Sequence, residues 1–370
     1  MSVDFQQLAV AGVRGLKPYQ PGKPIDELAR ELGLNEADIV KLASNENPLG
    51  PSPAIIDAIQ QQLVELTRYP DGAGFELKAA LCERLGVSAS QLTLGNGSSD
   101  ILDFAVRVFV NQGDNVVVSQ HAFSIYGLVT RAVGGEVIEV PARNFGHDLD
   151  AMAAAINDRT RIVFVTNPNN PTGTYSTRGE LEAFLAAVPE QVLVLLDEAY
   201  FEYAEVEDYP CGLDYLSQYP NLLVARTFSK AYGLASLRVG YGVSSPVVAD
   251  LMNRVRPPFN VDSFALAAAT AALRDDAYLA KSIAANRQGM VQLVAAFEQL
   301  GLSYIPSVAN FVTFKLPDGS DDREVNQQLL QLGVIIRPVA NYDMPGYIRV
   351  SVGTAAENQT FIDALAKVLA

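Results

Sequence analysis

Lys230 lies in Thr227-Phe228-Ser229-Lys230-Ala231-Tyr232-Gly233, just after an apolar run at 222–225, with a second cation, Arg238, a little further on. A lysine ammonium is a poor nucleophile, and becomes a good one when desolvation or a neighbouring positive charge lowers its pKa. The small residues around Lys230 suit a backbone that passes close to a bound group. Other chemistry-bearing residues also follow apolar runs. Gly95-Asn96-Gly97-Ser98-Ser99-Asp100 opens a helical pattern and would offer free N–H groups to a phosphate, although Ser99 or Asp100 could equally be a helix cap. Phe123 follows the run at 116–118 and could stack on a planar ring or pack in the core. Asn167-Pro168-Asn169-Asn170-Pro171-Thr172-Gly173 is a stiff polar turn in which an Asn amide can donate to a ring hydroxyl or a carboxylate. Asp197-Glu198-Ala199-Tyr200 follows the run at 192–196. A carboxylate at the mouth of a buried strand needs a cationic partner. A protonated ring nitrogen would serve Asp197, and Tyr200 could hydrogen-bond a phenolic oxygen.

The elements that must position these residues read clearly. Strand-length apolar runs at 92–94, 115–118, 136–140, 161–165, 192–196 and 222–225 alternate with helical patterns near 99–110, 124–133, 149–157 and 178–188. Near-continuous Val/Ile/Leu strands separated by helices predict an α/β fold with a mostly parallel central sheet covered by helices on both faces. Ligands of such sheets sit outside the carboxyl ends of the strands. Residues 1 to about 30 read as an arm and a short helix that must pack on the body or on a second subunit. A helix is predicted over 53–66 with Ile55, Ile56, Ile59, Leu63 and Leu66 inward, and another over 75–85. Beyond Pro257-Pro258 come long helical patterns at 265–273 and 278–300. A smaller α+β unit follows, with strands at 310–314, 334–336 and 347–351 and helices at 322–332 and 355–369. The expected division is therefore 1–45 as arm and part of a small domain, 46–257 as the large domain, and 258–370 as an interdomain helix and small C-terminal domain.

The chain has 370 residues and a net charge of −15. That balance argues against nucleic acid and anionic membranes as partners, so any bound anion must be held by local cations and backbone N–H groups. Cys82 and Cys211 are far apart, and His121 and His147 are the only histidines, so neither a disulfide framework nor a metal site is expected. No apolar stretch approaches a membrane span, and the start lacks the pattern of a signal peptide. The cytoplasm is the expected compartment.

Taken together, Asn170-Pro171-Thr172-Gly173, Asp197-Glu198-Ala199-Tyr200, Ser229-Lys230-Ala231-Tyr232-Gly233-Leu234 with Arg238 and Gly240-Tyr241, and Tyr347-Ile348-Arg349-Val350 resemble fold-type I pyridoxal-phosphate enzymes, specifically class I/II aminotransferases. Their order and spacing run over roughly residues 40 to 355. Within that family the chain is most similar to the histidinol-phosphate aminotransferases, through Leu42-Ala43-Ser44-Asn45-Glu46-Asn47-Pro48, Arg68-Tyr69-Pro70-Asp71, Gly333-Val334-Ile335-Ile336-Arg337-Pro338 and Ile348-Arg349-Val350-Ser351-Val352-Gly353-Thr354.

The resemblance implies a role for each matching position. Lys230 would link covalently to the cofactor and then carry the proton in transamination. Asp197 would pair with the ring nitrogen, so that the ring acts as an electron sink. Tyr200 and Asn170 would hold the ring oxygen, and Phe123 would stack on the ring face. Ser98, Ser99, Ser229 and Arg238 would bind the cofactor phosphate. Tyr69 would reach the neighbouring subunit's cofactor, making a homodimer with shared active sites. Arg349 would hold the substrate anion, with Arg337, Tyr19 and Asn47 lining the substrate site. Ser99 stands where the family often has an acidic residue, which bears on the substrate more than on the cofactor. The implied substrates are a small-molecule amino donor and a 2-oxo acid, first of all histidinol phosphate and 2-oxoglutarate. An aromatic amino acid aminotransferase, an amino-acid-phosphate decarboxylase on the same scaffold and a ligand-sensing module without activity are the competing readings.

Overall fold

The structure is a computed structural model, and it describes residues 3–18 and 22–370. Its strands, in chain order, are Val40–Lys41 (β1), Leu92–Gly95 (β2), Asn115–Ser119 (β3), Glu136–Val140 (β4), Thr160–Thr166 (β5), Leu193–Asp197 (β6), Leu222–Thr227 (β7) and Gly240–Ser244 (β8), then Tyr304–Ile305 (β9), Phe311–Lys315 (β10), Val334–Ile335 (β11), Arg337–Pro338 (β12) and Tyr347–Ser351 (β13).

β2 to β8 form one sheet in the order β2-β8-β7-β6-β5-β3-β4. The pairings among β3 to β7 are all parallel, whereas β8 runs antiparallel to both β7 and β2. The sheet is thus mostly parallel, as the uninterrupted apolar strands predict. Side chains alternate across it. Ile162 and Phe164 of β5 pack with Phe104 and Val106 of the helix Ser98–Phe109, while Val163 and Val165 pack on the other face with Leu181 and Phe184 of the helix Arg178–Ala187. Both faces being buried explains the apolar middles of β3, β5, β6 and β7.

β8 has no counterpart among the predicted strands. Gly240 and Gly242 depress its β-signal, and both are there for room. A Cβ on Gly240 would stand 2.4 Å from the backbone nitrogen of Ser98, and one on Gly242 would stand 2.8 Å from Ile101. The predicted helix over 53–66 also differs. The α-helix is Pro53–Gln62, continued by a 3-10 turn at Leu63–Glu65. Ile55 is fully buried, but Ile56, Leu63 and Leu66 are exposed on the surface of the single chain. Among the described residues this apolar face stays open, and the 3.6-residue period shows that a face is apolar without showing what covers it.

The second core lies on the sheet β12-β13-β10-β9, where Phe314, Val312, Ile348 and Val350 pack with Phe297 and Phe361 of the helices Asp276–Gln299 and Ala355–Leu369. The parallel pairing of β1 with β11 joins residues 40–41 to this unit. The helix Ser263–Leu273, which follows Pro257-Pro258, places Ala265 and Ala268 in the same core as Leu92 and Leu94 of the large sheet.

Candidate active site

A cavity of about 260 Å³ opens at the carboxyl ends of the large sheet and against the edge of the small one. Ser98, Ser99, Phe123, Asn170, Asp197, Tyr200, Ser229, Lys230, Arg238, Arg337 and Arg349 all line it. Each of the first nine follows, or ends, a strand of the large sheet, where the topology directs a ligand. The two arginines at 337 and 349 come from β12 and β13.

The phosphate-type end is built first by chain geometry. Gly97 sits at φ 82° just before the helix Ser98–Phe109, and a Cβ there would stand 2.3 Å from Nη2 of Arg238. Glycine is therefore required twice, for its left-handed backbone and for the close approach of the guanidinium. Arg238 in turn donates from Nη1 to the Ser229 hydroxyl at 3.1 Å. A helix start with free N–H groups, three hydroxyls and one arginine make a compact anion cradle.

Asp197 is 4% exposed. It accepts from the Tyr126 hydroxyl at 2.8 Å and from the Ala199 N–H at 3.2 Å. Among the described residues it makes no ion pair, and burial pushes its carboxyl up to about 6. A buried carboxylate held in that way is set for a cation brought by a ligand. Tyr126 is itself fixed by Thr166 at 2.7 Å and by stacking on Phe164.

The Lys230 amine donates to the Ser44 carbonyl at 3.1 Å. Burial first, and then the charge of Arg349, bring its pKa down to about 7. At neutral pH a large share of the amine is unprotonated, which an exposed lysine would not achieve. The Tyr200 hydroxyl accepts from the Asn45 amide at 2.9 Å, and burial raises its pKa to about 12, so the phenol keeps its proton and can donate it to a ligand.

Arg349 is buried and donates to Asn170 Oδ1 and, at 2.8 Å, to the Ala43 carbonyl. Arg337 stands directly opposite it in the β12–β13 register. Like charges facing each other across strands are unfavourable. A pair of guanidinium groups at a cavity wall is relieved by an anionic ligand, for which the planar fork is suited.

Two of the residues marked from sequence stand elsewhere. Asn47 does not line the cavity; its amide donates to the Ala231 carbonyl and the Ser282 hydroxyl, bracing the loop behind Lys230. Tyr69 is exposed and stacks on Phe259 at 4.7 Å, away from its own chain's cavity. Tyr19 lies outside the described residues. Conversely, sequence reasoning missed Asn45, which sits at φ 54° and bonds Tyr200, and Tyr126, which bonds Asp197. Asn45 was visible as part of a dense turn. Tyr126 carries no local signal, because its partners come from β5 and β6.

Next to Asp197, Glu198 forms a buried ion pair with Arg226 at 2.7 Å and accepts from the Gly212 N–H. The Arg226 guanidinium also covers the Phe201 ring at 3.6 Å. The pair ties the end of β6 to the end of β7, hence Asp197 to the loop of Lys230. Glu198→Ala is expected to lower stability by about 3–5 kcal/mol, because it strands a buried guanidinium. Urea unfolding measures this, and an unchanged midpoint would mean the pair holds nothing in place. Among the described residues no cluster of His, Cys, Asp or Glu could hold a metal ion.

Comparison with known proteins agrees with this geometry. The family described as aminotransferase class I and II matches residues 37–365. The chain is 61% identical over 370 residues, all of both chains, to histidinol-phosphate aminotransferase 2 of Pseudomonas fluorescens. It is 61% identical over 367 residues, 99% of each chain, to histidinol-phosphate aminotransferase 2 of Pseudomonas aeruginosa. The crystal structure of histidinol-phosphate aminotransferase from Sinorhizobium meliloti, in complex with pyridoxal 5'-phosphate, superposes with a TM-score of 0.89 over 97% of both chains at 31% identity. With matching sequence and fold, the chain belongs to the aminotransferase class I and II family.

Proposed function

We propose that the protein uses pyridoxal phosphate to transfer an amino group between L-histidinol phosphate and 2-oxoglutarate, giving imidazole acetol phosphate and glutamate, a step of histidine biosynthesis. One observation carries the reading. A single cavity holds a desolvated lysine, a buried carboxylate, an anion cradle and two further arginines. Its relatives at this level of identity bear the name of that activity.

The residues fit the cofactor, and the Gly97–Arg238 approach leaves the cradle shaped for a phosphate rather than for a side chain. Bound there, pyridoxal phosphate supplies an aldehyde that links to amines and a ring that withdraws electrons from the neighbouring carbon. Ser98, Ser99, Ser229 and Arg238 hold the phosphate. Asp197, oriented by Tyr126 and Ala199, keeps a proton on the ring nitrogen. Tyr200 and Asn170 would hold the ring oxygen, and Phe123 would stack on the ring. The neutral Lys230 amine would be the group that holds the cofactor covalently, and it is placed to take and return the proton at the substrate's α-carbon. Arg349, with Arg337 beside it, receives the substrate anion. The two amino donors present different anions, a phosphate monoester and a carboxylate, and a guanidinium fork accepts either bidentately.

A panel of amino donors against 2-oxoglutarate tests the substrate. Histidinol phosphate should show the highest kcat/KM, and a higher value for phenylalanine or tyrosine would reassign the protein to aromatic amino acids.

The reading includes a homodimer with shared sites and a cytoplasmic location. Leu63, Val64, Leu66, Tyr69 and Phe75 form an exposed, largely apolar stretch of the large domain, and Tyr69 on that stretch serves the partner's cofactor. The cytoplasm is where such a biosynthetic step belongs, and no helix among the described residues is long and apolar enough to cross a membrane. The same reading keeps 46–257 as the cofactor domain, with 1–45 and 258–370 closing over it. Val64→Glu with Leu66→Glu is expected to turn a dimer into a monomer in light scattering and to lower turnover at least about tenfold, because charge is placed in an apolar contact. A dimer of full activity would place the interface elsewhere.

A further inference from the structure

A second and larger cavity, about 870 Å³, adjoins the catalytic one, and Gly22 and Arg337 line both. Three separate parts of the chain build it. Lys17 and Lys23 come from the N-terminal segment, Arg131 from the helix Ile125–Ala132, and Arg323 from the helix Asp322–Gln331. With Arg337, every charged side chain that lines it is a cation, in a protein of net charge −15.

Chance gathering is a poor account of this. Positive charges drawn from three elements repel one another, and nothing in the packing of these helices requires them to meet. Lys23 is partly offset by Glu27 and Glu31. Among the described residues Lys17, Arg131 and Arg323 make no ion pair, although the chain has acidic groups to spare. Arg131 also borders a smaller cavity that Glu139 and Asp343 line, yet no ion pair closes between them. Its guanidinium folds back along its own helix over Gly127, where a Cβ would stand 2.9 Å from Nη1.

We propose that this second cavity is an antechamber that gathers phosphate monoesters by charge and delivers them to Arg337 and Arg349. The proposal rests on the reading of a phosphorylated amino donor, and extends it to residues outside the catalytic cavity. An acidic protein repels a dianion at long range. A concave patch of one sign with low-dielectric walls reverses that field locally and raises the concentration of the ligand at the entrance. The carboxylate of glutamate, with a smaller charge at any one point, gains less.

The test uses the cofactor-loaded protein, as wild type and as the double variant Arg131→Gln/Arg323→Gln. The probe is glycerol 3-phosphate, an unreactive phosphate monoester. Its affinity is measured by calorimetry and as competitive inhibition of the glutamate half-reaction. At low salt the variant should bind it about 3–10-fold more weakly, and the gap should shrink below about twofold at 0.5 M salt, since exposed charges are screened within a few ångströms there. Each single variant should show part of the loss, while kcat with saturating glutamate stays unchanged. Equal affinity in the two proteins, no binding to the wild type, or a gap that salt does not close would each overturn the antechamber. The assay needs no turnover of histidinol phosphate. If that compound proves not to be a substrate while the gap in glycerol phosphate binding holds, the substrate reading fails and the antechamber stands.

Discussion

Lys230→Ala is expected to yield a folded protein that no longer retains pyridoxal phosphate covalently and that turns over at least about 10²–10⁴-fold more slowly, the range for loss of a positioned proton-transfer group. After borohydride treatment and desalting, mass spectrometry should find the cofactor mass on the wild-type peptide containing Lys230 and on no peptide of the variant. A covalent adduct elsewhere, or an active variant, would remove the lysine from its role. The pKa near 7 gives the pH dependence. Only the neutral amine attacks a carbonyl, so uptake of the cofactor by the apoprotein should slow about tenfold per unit as pH falls below 7 and level off above it. An ordinary lysine would still be gaining rate at pH 10. Stability has its own sign. The folded-state pKa lies below the unfolded value of 10.5, so the folded apoprotein binds fewer protons between pH 7 and 10.5 and gains stability as pH rises through that window. Below pH 7 the full cost of the buried amine is present. Lys230→Met should therefore melt higher than wild type as apoprotein at pH 6, with the advantage fading towards pH 10.5.

Asp197→Asn is the second large effect. The amide keeps the shape and an acceptor for the Tyr126 hydroxyl, so the fold should survive. What goes is the charge that, on the proposed function, would hold a proton on the ring nitrogen, and without it the ring would be a weak electron sink. Turnover should fall about 10²–10³-fold, the scale of losing one preorganised electrostatic partner. Single-turnover kinetics with glutamate measure this, and a rate within threefold of wild type would strip Asp197 of the role. The apoprotein should respond in the opposite sense. Burial raises the carboxyl from 3.8 to about 6, so the folded state holds extra protons between those values and loses stability as pH rises through them. Above pH 6 the wild-type apoprotein bears the whole penalty and the Asn variant does not. A variant that is more stable empty and far less active loaded is the signature of a functional buried charge.

These effects could be located from the sequence because the chemistry sits where strands end. Ser98, Asn170, Asp197 and Lys230 each follow an apolar run, and a parallel sheet brings such ends together without any knowledge of long-range contacts. Two kinds of contribution stayed out of sight. One is made by main-chain groups and by neighbours that only the fold supplies. The Ser44 carbonyl that meets Lys230, and the Tyr126 hydroxyl that meets Asp197, are separated from their partners by 186 and 71 residues. The other comes from packing demands that oppose local preference. Gly240 and Gly242 are poor strand formers, retained because Ser98 and Ile101 leave no room for a side chain. Asn45 and Asn47 sit in one polar turn, and it is Asn45, at φ 54°, whose amide faces Tyr200.

The bond between Arg349 and Asn170 has a mechanical side. The turn that carries Asn170 is fastened to the small unit at further points: Thr313 Oγ1 donates to the Pro171 carbonyl, and the Val308 N–H to the Gly173 carbonyl. Arg349 is fastened to Ala43 as well, and the Ser351 N–H to Leu42. Two groups that line the catalytic cavity, Arg349 and Asn170, are thus rivets in a single plate. A hinge between the two cores cannot pull them apart without shearing the whole row.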